Sequence, residues 1–311
     1  MMWTVLAPCV AFVGVLVGAW WMMRVPVDWN QWRPATCLPD ACFCEVVRGG
    51  TVRQVANTWS SFAFVFVAFW VVGVAQSDRV RGSRNGSRKL TRDVSRDASG
   101  SWRAHAIGAN PISPNALNAN AISPNAISPN ANAMSERAVY ALLFAFALLV
   151  VGIGSAWYHA SLTFAGQFAD VFGMYLIGTF VLVYNVGRLR PLTDGAAVAC
   201  YLALNLGLAL ALYSLPELRR YAFAVVMVVA LAVEYRVRRR GTMSADSRYF
   251  IGAVAALAVA FVVWTLDQRH VVCSPRSLWQ GHAVWHVLGA AACAGVFVYY
   301  RSESRSGAKS A

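Results

Sequence analysis

The chain is 311 residues long, with 58% hydrophobic residues, only 13% charged ones and a formal net charge of +13. Soluble globular chains carry about 25% charged residues, so this composition excludes an ordinary water-soluble enzyme. Nor does the charge argue for nucleic acid: the lysines and arginines stand in blocks between long apolar runs, and such blocks record orientation in a membrane protein.

A helix needs about 20 apolar residues to cross a hydrocarbon core. The first such run is 3–23. It lacks the basic flank and small-residue cleavage site of a signal peptide, so residues 1–24 read as a retained anchor helix. Seven further runs follow, at 57–75, 138–158, 167–187, 196–215, 217–235, 249–266 and 279–300. The run at 217–235 is the weakest, because Glu217, Arg219 and Arg220 shorten it before Glu234; such residues can snorkel to the interface. Between the second and third runs lies 76–137. Its first half is rich in Arg, Ser and Gly, and its second half repeats Ile-Ser-Pro-Asn-Ala at 112–116, 122–126 and 127–131. So few large apolar side chains cannot offset the entropy of ordering, and the stretch reads as a disordered cytoplasmic insertion. The architecture expected is an all-α, polytopic membrane bundle of seven core helices (25–75 and 138–300) plus the anchor. A cytoplasmic tail follows at 301–311.

Nineteen of the 27 lysines and arginines fall in alternate connections on one side of these spans and eight on the other. The positive-inside rule then puts both termini and the insertion in the cytoplasm. Cys37, Cys42, Cys44 and Cys273 all fall on the exoplasmic side, where up to two disulfides are expected with the pairing open. Tryptophans 20, 21, 29, 32, 279 and 285 read as interfacial anchors.

Ionisable groups within spans are costly and mark candidate sites. His159 ends the third span, Asp170 lies near the start of the fourth, and His282 and His286 open the last. Ser155 and His159 are four residues apart, as are His282 and His286, so each pair shares a helix face. The orientation places all five at one depth, near the exoplasmic interface, although it was derived without them. Three imidazoles with an open position form the ligand set of a catalytic zinc site. Asp170 would handle a proton and Ser155 would bond a developing oxyanion. His105 and His270 read as solvent-exposed, and Asn57, Ser60 and Ser61 as interhelical hydrogen-bonding groups.

The ordered set Asn57-Thr-Trp-Ser-Ser61, Gly154-Ser-Ala-Trp-Tyr-His159, Gln167-Phe-Ala-Asp170 and His282-Ala-Val-Trp-His286 resembles the motifs of the alkaline ceramidase family. The resemblance covers about 28–300 without the insertion. It implies a zinc-dependent intramembrane hydrolase that cleaves the amide of ceramide, or a related sphingolipid, to a sphingoid base and a fatty acid. His159, His282 and His286 would be ligands, while Ser155 and Asp170 would assist. Such a protein would sit in an ER, Golgi or plasma membrane, with its site towards the exoplasmic or lumenal face. The wider superfamily also holds lipid esterases that remodel GPI anchors and non-enzymatic seven-span receptors, which are the alternative readings. Members of the family can also carry a calcium cluster beginning Asp-Trp. Here Asp28-Trp29 is followed by Asn30, Gln31, Trp32 and Arg33, and Gln54 replaces a carboxylate. Calcium prefers carboxylate and carbonyl oxygens, so a bound calcium is not expected. Glu45, after Cys-Phe-Cys, reads as a loop carboxylate, with a cap on that site as the alternative.

Overall fold

The computed structural model describes residues 2–38, 42–80, 138–241 and 243–305. The repeats of the insertion, His105 and the end of the tail lie outside the described residues. Among the described residues, eight long helices appear where the apolar runs predict them. They are α1 (Met2–Met22), α2 (Val55–Val80, with a turn at Ser61), α3 (Ala138–Ser161), α4 (Phe164–Leu189), α5 (Asp194–Ser214), α6 (Arg219–Arg240), α7 (Ser247–Gln268) and α8 (Gly281–Arg301). Helix α2 runs five residues beyond the expected end of its span, and Asp78 in that extension pairs with Arg301 at 2.7 Å. A two-residue antiparallel pairing joins 243–244 to 304–305.

Six of the helices, α2 to α5, α7 and α8, are long and apolar enough to cross a bilayer. Much of their apolar surface faces outward: Leu206 and Leu210 on α5 and Ile251 and Phe261 on α7 are exposed. An apolar face of that kind is stable against lipid and not against water. Helix α6 falls short of the same criterion because Arg219 and Arg220 at one end and Glu234, Arg236 and Arg238 at the other leave too short an uncharged run.

The core forms where α2, α3, α4 and α8 meet, around Phe64, Phe144, Leu148, Phe180 and Phe297. Helices α3 and α4 touch backbone to backbone. A Cβ on Gly173 would lie 2.4 Å from the Val151 Cα, and one on Gly154 would lie 2.7 Å from the Ala169 carbonyl. The turn between these helices is only two residues long. It is made possible by Leu162, a buried residue at φ +50°, and by Thr163, whose hydroxyl accepts from the Gly166 N–H to cap α4. A non-glycine residue in the left-handed region costs of order 1–3 kcal/mol. Hydrogen bonds on both sides hold it there: Ala35 N–H donates to Leu162 O, and Phe164 N–H donates to Arg33 O.

The loop before α2 is thereby stitched over one end of the bundle. Its disulfides are Cys37–Cys42 and Cys44–Cys273, which resolves the open pairing. The second joins this loop to the α7–α8 connection. Helix α1 packs Phe12, Val15 and Leu16 against Phe62 and Val65 of α2.

Candidate metal centre

The short α3–α4 turn makes the last turn of α3 and the first turns of α4 neighbours, and α2 and α8 begin at the same end. The five residues singled out from the sequence therefore converge. His159, His282 and His286 are buried, and their nitrogens lie within 4.8 Å of one another. His159 Nε2 is 3.1 Å from His282 Nε2, and His286 Nε2 is 3.2 Å from the Ser155 hydroxyl. The backbones of Gly154 and of Ala169–Asp170 are in contact beside it, which brings the Asp170 side chain near Ser155. Gly154 is what permits this last contact, since a side chain there would push Ala169 and Asp170 away.

The polar groups around the rings fix which nitrogen is free. Gln54 donates its amide N–H to the Glu45 carbonyl at 3.1 Å, so its oxygen must face His159. That oxygen lies 2.8 Å from His159 Nδ1 and accepts its proton, which leaves Nε2 with a lone pair. Ser60 directs its hydroxyl proton to the Asn57 carbonyl at 3.1 Å and is 2.8 Å from His286 Nδ1. It therefore accepts from that Nδ1–H, and His286 Nε2 also carries a lone pair. Both lone pairs point into the cluster, the outer-shell arrangement by which histidines are oriented towards a metal.

His282 is held differently. The Asp267 carboxylate accepts from the His282 backbone N–H at 3.1 Å and the Cys44 N–H at 3.2 Å, which pins the first turn of α8 to the disulfide-linked loop. His282 Nδ1 is buried and has no hydrogen-bond partner among the described residues. Phe43, from the same loop, lies tilted against His282 at 4.0 Å and His159 at 4.8 Å between ring centroids, and so covers the cluster with an apolar ring. Three buried imidazoles, two of them with inward lone pairs and the third with an orphaned nitrogen, fit a small divalent metal. Imidazole suits zinc, with copper, iron and nickel as chemically related choices.

The residues expected around a calcium ion do not fit one. Asp28 spends its two carboxylate oxygens on the Asn30 backbone N–H and the Gln31 amide, and the Arg53 guanidinium donates to Asn30 Oδ1 at 2.8 Å. A cation already stands among these oxygens, and among the described residues no second carboxylate converges on them.

The outer shell was not read from the sequence as part of the site. Glu45 is not a plain loop carboxylate: it is buried and accepts from the Ala56 and Asn57 N–H groups at 2.8 and 2.9 Å, capping α2. Gln54 and Asp267 are likewise buried. The available signal was a polar residue at the end of a span that carries no histidine but ends on the same side: Gln54 before α2 and Asp267 in the last turn of α7. Ser60 and Ser61 do bond between helices as expected, and the ring that they meet is His286. His270 is exposed as expected.

At the far end of the bundle, Arg188 does not lie in a loop as its place in the charge count assumed. It is buried between Glu234 and Glu303, 2.6 Å from the latter, and it bonds the Tyr299 hydroxyl.

A polytopic helical membrane bundle with a buried three-histidine group beneath one end is the class of protein that fold and site define. The chain belongs to the ceramidase family, whose family model, described as Ceramidase, matches residues 119–308. It is similar to a Dictyostelium discoideum protein named "Putative alkaline ceramidase dcd3B", with 25% identity over 170 residues, or 47% of this chain. The chain spans 59% of the length of that curated relative.

Proposed function

We propose that the protein is a zinc-dependent hydrolase acting within the membrane on the amide bond of ceramide or a related sphingolipid, releasing a sphingoid base and a fatty acid. The observation that carries this reading is the convergence of His159, His282 and His286 with Ser155 and Asp170 from three separate helices. Membership of the ceramidase family and the name of the similar Dictyostelium protein support the choice of an amide-linked lipid.

His159, His282 and His286 would hold a zinc ion, and the chemistry it would supply is polarisation of the carbonyl and acidification of a water towards neutral pH. The chain does the rest. Gln54 and Ser60 hold the rings of His159 and His286 in the tautomer that presents Nε2. Asp170 takes the proton of the attacking water and returns it to the leaving nitrogen. Ser155, beside His286 in the resting site, turns its hydroxyl to the carbonyl oxygen as negative charge develops there. Phe43 keeps bulk water from the rings, which strengthens each of these interactions. The orientation inferred from the arginine distribution puts this end of the bundle on the exoplasmic or lumenal side of an ER, Golgi or plasma membrane.

The test is lipid mass spectrometry on purified protein in liposomes containing ceramides of several chain lengths, with ester lipids beside them. The sphingoid base should appear with the wild type. Loss of the proton-transfer group in Asp170→Asn should lower the rate by about 10²–10⁴-fold. Turnover of ester lipids alone, or equal amide turnover by Asp170→Asn, would overturn the reading.

A further inference from the structure

We infer that the cleft between the site ends of α2 and α8 is a binding site for one aliphatic chain of the lipid substrate. This inference rests on the hydrolase reading above. A cavity of about 450 Å³ lies there, within the range of about 300–1,000 Å³ typical of small-molecule sites. Val55, Ala56 and Trp59 form one wall, and Ala283, Val284 and Val287 form the other. These positions recur at helical spacings of three and four, so each wall is a single helix face.

The cleft extends along α8 from Gln280 to Leu288, which at 1.5 Å per residue makes a trough about 12 Å long. At its mouth, Trp279 is 88% exposed and Leu278 is 72% exposed, an aromatic and an aliphatic side chain at the level where tryptophan marks the membrane interface. A lipid lying along α8 would have its tail in the trough and its polar end towards that mouth. What distinguishes this cleft from any other apolar groove facing the bilayer is Ser60. It lines the cavity, and its hydroxyl is 2.8 Å from His286 Nδ1. A chain seated in the trough is therefore separated from the histidine cluster by one small side chain. Val284 is two residues from both His282 and His286 and so points away from their face.

The test uses the full chain in phosphatidylcholine liposomes with a ceramide whose N-acyl chain carries a diazirine. After photolysis, adducts are mapped by peptide mass spectrometry. They should concentrate on residues 55–60 and 278–288, be displaced by unlabelled ceramide, and fall by at least about tenfold when Val284→Trp fills the trough. Ala56→Trp, from the facing helix, should do the same, and zinc content should be unchanged in both variants. Adducts spread evenly over the lipid-facing surfaces of α5 and α7, or undiminished in both variants, would overturn the chain site. Hydrolysis with adducts elsewhere removes this inference alone. Displaceable adducts in the trough without any hydrolysis would keep the chain site and remove the hydrolase reading.

Discussion

The amide nitrogen of Gln54 is committed to the Glu45 carbonyl, so its oxygen is the atom that meets His159. Gln54→Leu removes that acceptor and leaves a buried Nδ1–H unpaired. Loss of such a partner typically costs about 10–100-fold in metal affinity. Titration with a competing zinc chelator should show a loss of that size in Gln54→Leu and a smaller one in Gln54→Glu, which keeps an acceptor. Equal affinity in Gln54→Leu would mean that His159 needs no orienting group. His159, His282, His286, Ser155 and Asp170 were legible in the sequence because each is a polar residue inside an apolar run. Gln54, Glu45 and Asp267 were not, because they lie just outside such runs, where polar residues are common. Only the fold shows that they are buried.

Helices α3 and α4 set the distance between Ser155 and Asp170 through Gly154, whose Cα has no room for a methyl group against Ala169. Gly154→Ala should therefore destabilise the protein by about 1–3 kcal/mol through forced backbone movement, and activity should fall with it. Gly187 is the control. It lies in α4 with open space around it, so Gly187→Ala should be neutral or stabilising by up to about 1 kcal/mol. Thermal unfolding in detergent measures both; a Gly154→Ala protein as stable as the wild type would show that the two helices can separate freely. The helices themselves were legible because a run such as 138–158 is apolar on every face. Their close approach was legible only as a set of small residues. Which glycine meets which helix depends on the left-handed turn at Leu162, and nothing in a leucine's chemistry announces that conformation.

Across the whole molecule, the end opposite the histidines is tied by Arg188, set between Glu234 and Glu303 and linking α4, α6 and the segment after α8. Sequence arithmetic counted Arg188 as a loop charge, since one arginine reads the same whether it meets water or two carboxylates. Arg188→Met would leave Glu303 buried without its cation and Glu234 with only Arg238 at 3.6 Å, and should cost about 3–5 kcal/mol. Burial pushes the Glu303 carboxyl up to about 7, against the pull of Arg188. The folded protein then holds a proton that the unfolded chain, with its ordinary value of 4.5, has released. This contribution is full below the ordinary value and is lost as pH rises through about 7. The melting temperature should accordingly fall between about pH 5 and pH 8, and Glu303→Gln should flatten that slope; an unaltered slope would assign it to other groups. The central claim, that imidazoles from α3 and α8 jointly grip one metal ion, is tested most directly by elemental analysis of purified wild-type and His282→Ala protein. Zinc near one per chain in the wild type, falling to background in the variant while the helical content stays the same, is the expected result. Undiminished zinc in His282→Ala would contradict it.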